Sequence, residues 1–101
     1  MVNIHKLLGM IRSGQAIMTV DPCICPEDTY DCYVQRSDSV ICYSVDRRTA
    51  HLTPRDTLPY GLGARDIGNL RPELVSLGIR VFTKDDAFRL MINMPHEDYI
   101  G

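Results

Sequence analysis

The sequence lacks a charge excess of either sign, a long apolar run and tryptophan. Its 11 lysines and arginines against 13 aspartates and glutamates give a formal net charge of −2 in 101 residues, which argues against a function that depends on a strongly basic face. No run approaches the roughly 20 apolar residues that a membrane span needs, and Leu7–Ile11 is too short for a signal-peptide core. We therefore expect a cytoplasmic protein whose four cysteines are mostly reduced thiols.

What is present is an ordinary globular composition. Apolar residues make up 45% of the chain and charged residues 24%, proportions that exclude disordered, collagen-like and low-complexity chains. A chain of this length buries roughly two-thirds of its unfolded surface, which is enough for a core without metal or disulfide bonds. We predict one compact domain over residues 1–101, in which residues 94–101 form a partly ordered acidic tail.

The N-terminal residues have the spacing of an amphipathic helix. Apolar side chains recur at i, i+3, i+4 and i+7 and so share one helix face. They are Ile4, Leu7, Leu8 and Ile11. Gly14 stands where a glycine would end this helix, and a strand over residues 15–20 is predicted to follow.

The middle of the chain has the pattern of an antiparallel meander. Three strand-like segments separated by short polar turns are Tyr30–Gln35, Ser39–Val45 and Thr49–Thr53. A pairing of Val45 with Ala50 is expected in the second turn. We also expect one face of this sheet to be better buried than the other.

The C-terminal part is predicted to be mainly helical. Thr53 followed by Pro54 is typical of a helix start. A second helix is predicted within Ala64–Leu77, and Ile79–Phe82 has the composition of a strand. Lys84–Asn93 fits either a helix or a hairpin, and its capped start favours the helix. The predicted fold class is therefore α+β, with an N-terminal helix, a small, mostly antiparallel sheet of about three to five strands, and a helical C-terminal third.

The cysteines are candidate metal ligands. Cys23, Cys25, Cys32 and Cys42 do not have the spacing of a zinc ribbon. A three-residue loop in the first hairpin would nevertheless place Cys32 and Cys42 across from each other, and His51 would complete a zinc site on that face. The alternative, which we favour, is that the cysteines are small buried apolar residues. No other cofactor is expected.

Catalytic motifs are weak in this sequence. His51 is the histidine best placed near cysteines, but nothing positions an acid or an oxyanion hole beside it. Gly61-x-Gly63 lacks the third glycine and the preceding strand of a dinucleotide-binding turn. We therefore expect a protein that is not an enzyme.

A second hypothesis is DNA binding by residues 52–93, whose predicted elements have the order of a winged helix-turn-helix. The basic residues that would contact DNA are Arg65, Arg71, Arg80, Lys84 and Arg89. Residues 53–93 hold six basic and five acidic side chains, and phosphate neutralisation needs more uncompensated cations than this. A hairpin at residues 84–93 would favour this hypothesis, and a helix there would remove the wing.

The leading hypothesis is a small non-enzymatic binding protein that acts by protein–protein contact. Tyrosine and arginine are enriched at the energetic centres of interfaces, and the predicted partner-binding residues of these types are Tyr33, Tyr43, Tyr60, Arg47, Arg48 and Arg65. An acidic loop formed by Glu27, Asp28 and Asp31 is a further candidate, because it could occlude a basic nucleic-acid channel. We expect a regulator or inhibitor of host machinery of the kind encoded by phages and mobile elements, such as an anti-CRISPR protein. No membrane partner is expected, and a homodimer is an alternative.

Overall fold

A computed structural model of the protein describes residues 4–20, 29–49, 51–55, 58 and 61–93. The elements in chain order are α1 (Ile4–Ser13), β1 (Ala16–Val20), β2 (Thr29–Arg36), β3 (Ser39–Asp46), β4 (Leu52–Pro54), α2 (Ile67–Ser76), β5 (Arg80–Val81) and α3 (Lys84–Ile92). This mixture of helices with one antiparallel sheet confirms the predicted α+β class, including the helix near the N-terminus and the mainly helical C-terminal part.

The five strands form one antiparallel sheet in the order β4-β3-β2-β1-β5. The first four strands are a meander, in which each strand pairs with the next along the chain. β5 returns to the free side of β1, where Val81 pairs with Thr19 and Arg80 with Val20. The edges of the sheet are therefore the three residues of β4 and the two residues of β5.

The turn between β2 and β3 sets the register of the central hairpin. Arg36 pairs with Ser39, so the loop between them consists of two residues. Two-residue loops are the commonest hairpin connections because their twist matches that of the strands. Successive side chains of a strand point to opposite faces, so this register decides which residues of β2 and β3 share a face.

Both faces of the sheet are covered, and the larger buried cluster lies on the face that holds Tyr43 and Val45. α1 and α3 pack on the first face, where the fully buried side chains include Leu7, Ile11, Met18, Val34, Val45 and Met91. α2 packs on the second face, where Tyr33, Cys42, Ile67, Leu70, Leu74 and Ile79 are buried. A strand buried on both faces needs apolar residues at nearly every position, which the sequence of β2 and β3 largely provides.

The predicted stripe of α1 is confirmed in its described side chains. Leu7 and Ile11 are fully buried and Leu8 is nearly so. The helix ends before Gly14, whose φ of +82° is in the left-handed region that only glycine adopts at little cost. A Cβ atom at this position would lie 3.2 Å from Lys84 Nζ, which shows that the Lys84 side chain reaches the C-terminal end of α1.

Gln35 joins the central hairpin to the start of α2. Its side-chain Oε1 accepts a hydrogen bond from the Ile67 N–H at 2.8 Å, and its Nε2 lies within 3.1 Å of the carbonyl oxygens of Arg36, Ser39 and Arg65. The first N–H groups of a helix have no partner within the helix, so this amide supplies one from a neighbouring strand.

α2 and α3 both begin with a capping side chain. Asp66 accepts a hydrogen bond from the Asn69 N–H at the start of α2, and Thr83 accepts one from the Asp86 N–H at the start of α3. α2 continues through Pro72 and gives way to Gly78, whose φ is +80°. The prediction of a helix at Lys84–Asn93 is confirmed, and the alternative hairpin is wrong.

The segment after β3 differs from its prediction in two ways. Val45 pairs with Leu52 rather than with Ala50, so the turn is longer than predicted, and within it the Asp46 side chain accepts a hydrogen bond from the Arg48 N–H. The predicted helix start at Thr53 is also wrong, since Thr53 and Pro54 belong to β4. Proline is tolerated in such an edge strand because its missing N–H faces away from the sheet.

The helices of the described residues are at most 10 residues long. Among them none has the length and apolar character needed to cross a membrane.

Gly9 and Gly14 offer a matched pair of substitutions that tests the end of α1. Gly9→Ala should stabilise the protein by about 0.5–1 kcal/mol, because Gly9 is an exposed helical residue with open space around it. Gly14→Ala should destabilise it by about 1–2 kcal/mol, because alanine is strained at positive φ. Urea denaturation measures both, and equal effects of the two substitutions would contradict the assigned helix end.

Gln35→Ala should destabilise the protein by about 0.5–1.5 kcal/mol, because the Ile67 N–H loses its acceptor and the carbonyl groups around Nε2 lose a shared donor. The matched control is Gln15→Ala, since the Gln15 side chain is exposed and its loss should change stability by no more than about 0.5 kcal/mol. Thermal unfolding followed by circular dichroism compares them. The bridging role is rejected if the two variants melt together with the unsubstituted protein.

Candidate partner-binding surface

Arg89 of α3 lies between two surface grooves. The first groove has a volume of about 330 Å³ and is lined by Arg80, Phe82, Asp86, Arg89, Leu90 and Asn93. The second has a volume of about 290 Å³ and is lined by Arg12, Lys84, Asp85, Phe88 and Arg89. We call these two grooves, together with the neighbouring exposed Ile92, the α3 surface.

Two arginines of the α3 surface are held against aromatic rings. The guanidinium carbon of Arg12 lies 4.8 Å from the centre of the Phe88 ring, and that of Arg80 lies 4.9 Å from the centre of the Phe82 ring. Each such contact contributes about 0.5–1 kcal/mol at an exposed site. The rings also restrict the side chains, so that their charges are held near the grooves.

A third arginine–aromatic contact, between Arg47 and Tyr30, lies next to the contact between Arg80 and Phe82. The Phe82 ring meets the Tyr30 ring edge to face at a centroid distance of 5.8 Å and an interplanar angle of 82°. Arg47 lies over the other ring, 5.0 Å from the centre of Tyr30. Both rings are largely buried, so the two arginines shield their remaining faces from water.

The described part of the chain is basic although the whole chain is not. All 11 lysines and arginines of the sequence lie in the described ranges, together with seven of the 13 aspartates and glutamates. This gives the described residues a formal excess of four positive charges. The six other carboxylates belong to sequence segments outside these ranges, and with them the whole chain has its net charge of −2.

The two predicted tyrosines among the described residues, Tyr33 and Tyr43, are buried. Tyr33 is fully buried in the core on the α2 side of the sheet, and Tyr43 is only 9% exposed on the other side. Their prediction as partner-binding residues is therefore wrong, because helices cover both faces of the sheet. Tyr60 lies outside the described residues.

One residue of the predicted acidic loop, Asp31, is buried. Asp31 is 3% exposed, and its Oδ1 lies 3.2 Å from Nη2 of Arg55. This ion pair ties the chain that follows β4 to the centre of the sheet. Asp31 cannot contact a partner from this position, so its prediction as a binding residue is wrong, and Glu27 and Asp28 lie outside the described residues.

The predicted arginines are exposed but are not part of the α3 surface. Arg47 lies over Tyr30, and the backbone N–H of Arg48 binds the Asp46 side chain in the β3–β4 turn. Arg65 lies just before α2, where its carbonyl accepts a hydrogen bond from Gln35. Arg47 and Arg48 are therefore in the β3–β4 turn, whereas Arg65 lines a separate groove with Asp38 of the β2–β3 turn.

The register of the central hairpin separates two of the candidate zinc ligands. Cys32 pairs with Tyr43, and Cys42 pairs with Tyr33, so Cys32 and Cys42 are buried on opposite faces of the sheet. The expected alignment of these two cysteines requires a three-residue loop and is wrong. His51 is exposed, Cys23 and Cys25 lie outside the described residues, and no group of three metal-ligating side chains occurs within those residues.

The Cys32 thiol is unsuited to nucleophilic chemistry. Burial raises its pKa well above the ordinary value, and the neighbouring Cys42 and Asp31 raise it further. The thiolate is the reactive form of cysteine, so the Cys32 side chain at neutral pH is a protonated thiol with low reactivity.

The elements of residues 52–93 also differ from a winged helix-turn-helix. The place of the first helix start is taken by β4, and the place of the wing is taken by α3. That arrangement is therefore wrong for this segment, although Arg80, Lys84 and Arg89 do lie near one another on the α3 surface.

The sequence contains a signal for the α3 surface that reasoning from the tyrosines misses. Lys84 and Phe88, and likewise Asp85 and Arg89, are four residues apart and so are neighbours on a helix. Sequence spacing cannot predict that Arg12 belongs to the α3 surface, because its position there depends on the packing of α1 against α3.

Cys32 and Cys42 should be protected from thiol reagents in the folded protein because both are fully buried. A variant with Cys23→Ser and Cys25→Ser isolates these two thiols. Reaction with an aromatic disulfide reagent should be slow in buffer and complete in denaturant. Stoichiometric reaction within the mixing time in buffer would contradict the burial of both residues.

Comparison with protein-family models, with curated proteins and with solved structures found no match to this chain.

Proposed function

We propose that this chain is a small, non-enzymatic, cytoplasmic binding protein that acts by protein–protein contact through the α3 surface. The observation that carries the proposal is the position of Arg89 between two grooves that also contain Arg12, Arg80 and Lys84. Arginine together with aromatic and aliphatic side chains is the composition found at the energetic centres of interfaces.

The exposed apolar side chains support a protein partner. Ile92 is 41% exposed, and it neighbours Phe88 and Arg89 on the helix because it lies four and three residues after them. Phe88 is half-buried beside it, and Leu90 is half-buried in the groove on the other side of Arg89. A partner that covers these side chains gains apolar burial in addition to contacts with the charges.

The mode of action we propose is steric occlusion by a regulator or inhibitor, such as a phage or mobile-element protein of the anti-CRISPR kind. The α3 surface has the opposite sign from the one expected of a surface built on the acidic loop. Asp31 is engaged in the core, whereas four cations surround the grooves of α3. The favoured target is therefore an acidic site on a protein rather than a basic channel.

Affinity capture from the native host should recover a stoichiometric protein partner with the unsubstituted chain, and Arg89→Glu should abolish its recovery. Reversing this charge places a carboxylate between Asp85 and Asp86 of the grooves, where it would repel an acidic partner. The matched control is Arg71→Glu, because Arg71 lies on α2 on the opposite side of the sheet.

Arg48→Glu tests the surface predicted from the arginines of the β3–β4 turn. The α3 surface is rejected if Arg48→Glu abolishes capture while Arg89→Glu does not. The whole proposal is rejected if the unsubstituted chain captures no stoichiometric partner. Circular dichroism melting of each variant separates lost binding from lost folding.

A further inference from the structure

The residues of the α3 surface restrict the chemistry of the partner that can bind there. An inference about that partner rests on the proposed function. Four cations line its grooves, namely Arg12, Arg80, Lys84 and Arg89, against two carboxylates, Asp85 and Asp86. The surface is thus positive but mixed in sign. This distinguishes two kinds of anionic partner, a nucleic acid and an acidic protein segment.

The ring contacts suit the recognition of carboxylates. Arg12 and Arg80 are held at 4.8 Å and 4.9 Å from the centres of Phe88 and Phe82. A guanidinium restricted in this way loses less side-chain entropy when it binds, and its fixed fork of N–H donors matches the two oxygens of a carboxylate. The grooves on either side of Arg89 therefore offer separate positions for acidic side chains.

The two aspartates disfavour a nucleic-acid backbone. Asp85 and Asp86 lie in the first turn of α3 and each lines one of the grooves. Duplex DNA carries one negative charge about every 1.7 Å along its axis, so phosphates that follow the row of cations would also lie against these carboxylates. A protein segment avoids this repulsion, because it can place uncharged side chains beside the aspartates.

The apolar side chains favour the same partner. Leu90 lines the first groove and Phe88 lines the second. Ile92 is exposed beside Phe88, four residues after it on α3. A sugar–phosphate backbone has little aliphatic surface to bury against leucine and isoleucine, whereas a protein segment with leucine or valine between its carboxylates has more.

We infer that the α3 surface binds an acidic protein segment in which aspartate or glutamate alternates with aliphatic residues. The carboxylates contact Arg80, Arg89 and Arg12, and the aliphatic side chains pack against Leu90 and Ile92. Arg89 is the central contact because it lines both grooves.

Fluorescence anisotropy with four probes tests this inference on the full chain. The probes are a short labelled peptide of alternating glutamate and leucine, the same peptide with glutamine for glutamate, the same peptide with serine for leucine, and a DNA duplex. The glutamate–leucine peptide should bind most tightly. Arg89→Glu should weaken it at least tenfold, Arg89→Gln by less, and Arg71→Glu should leave it unchanged. Ile92→Ser should weaken the leucine peptide without affecting the serine peptide.

Three results would overturn the inference. The first is equal binding of the glutamine peptide. The second is tighter binding of the duplex, with a logarithmic salt slope of about −0.9 for each phosphate contacted. The third is concentration-dependent dimerisation of the chain that Arg89→Glu abolishes, because a second copy would then occupy the surface. If the host partner is still lost with Arg89→Glu while the glutamate–leucine peptide does not bind, this inference fails and the proposed function stands.

Discussion

The two-residue turn between β2 and β3 is the constraint on which the rest of the structure depends. Its register places alternate residues of the two longest strands on the α1–α3 side and on the α2 side. A loop one residue longer would move the side chains of one strand to the opposite face. Asp31 would then leave the face on which Arg55 meets it, and Tyr33 would leave the core under α2. The helices can cover both faces only because each face is apolar in this one register.

The Gln35 amide transmits this register to the second layer. It lies near the end of β2, and its four contacts fix the hairpin turn and the first residue of α2 together. α2 therefore packs over Tyr33 and Cys42 in a position that is set by one polar side chain. The other layer has no such bridge among its described contacts. There, the packing of α1 against α3 brings Arg12 next to Phe88, so the α3 surface depends on apolar packing between two helices.

Local patterns in the sequence are enough to predict α1, the two central strands and α3, because each has a strong period or a capping residue of its own. The start of β4 and the failure of a helix at Thr53 cannot be predicted locally, since pairing with β3 outweighs the preference of Thr-Pro for a helix start. The candidate surface is predicted less well than the fold. Tyrosine and arginine are residue types suited to binding, but the burial of Tyr33 and Tyr43 depends on which helix covers which face. The burial of these tyrosines depends on tertiary packing, and so does the contact of Arg12 with the residues of α3.

The short edges of the sheet limit how this protein can meet other chains. An edge strand exposes backbone N–H and C=O groups to which another strand can be added, and long flat edges lead to aggregation. Here one edge ends in Pro54 after three residues, and the other has two residues. Within the described residues, neither edge offers a long row of backbone groups to a strand of another chain. Growth of fibrils through the edges of the described sheet is therefore disfavoured.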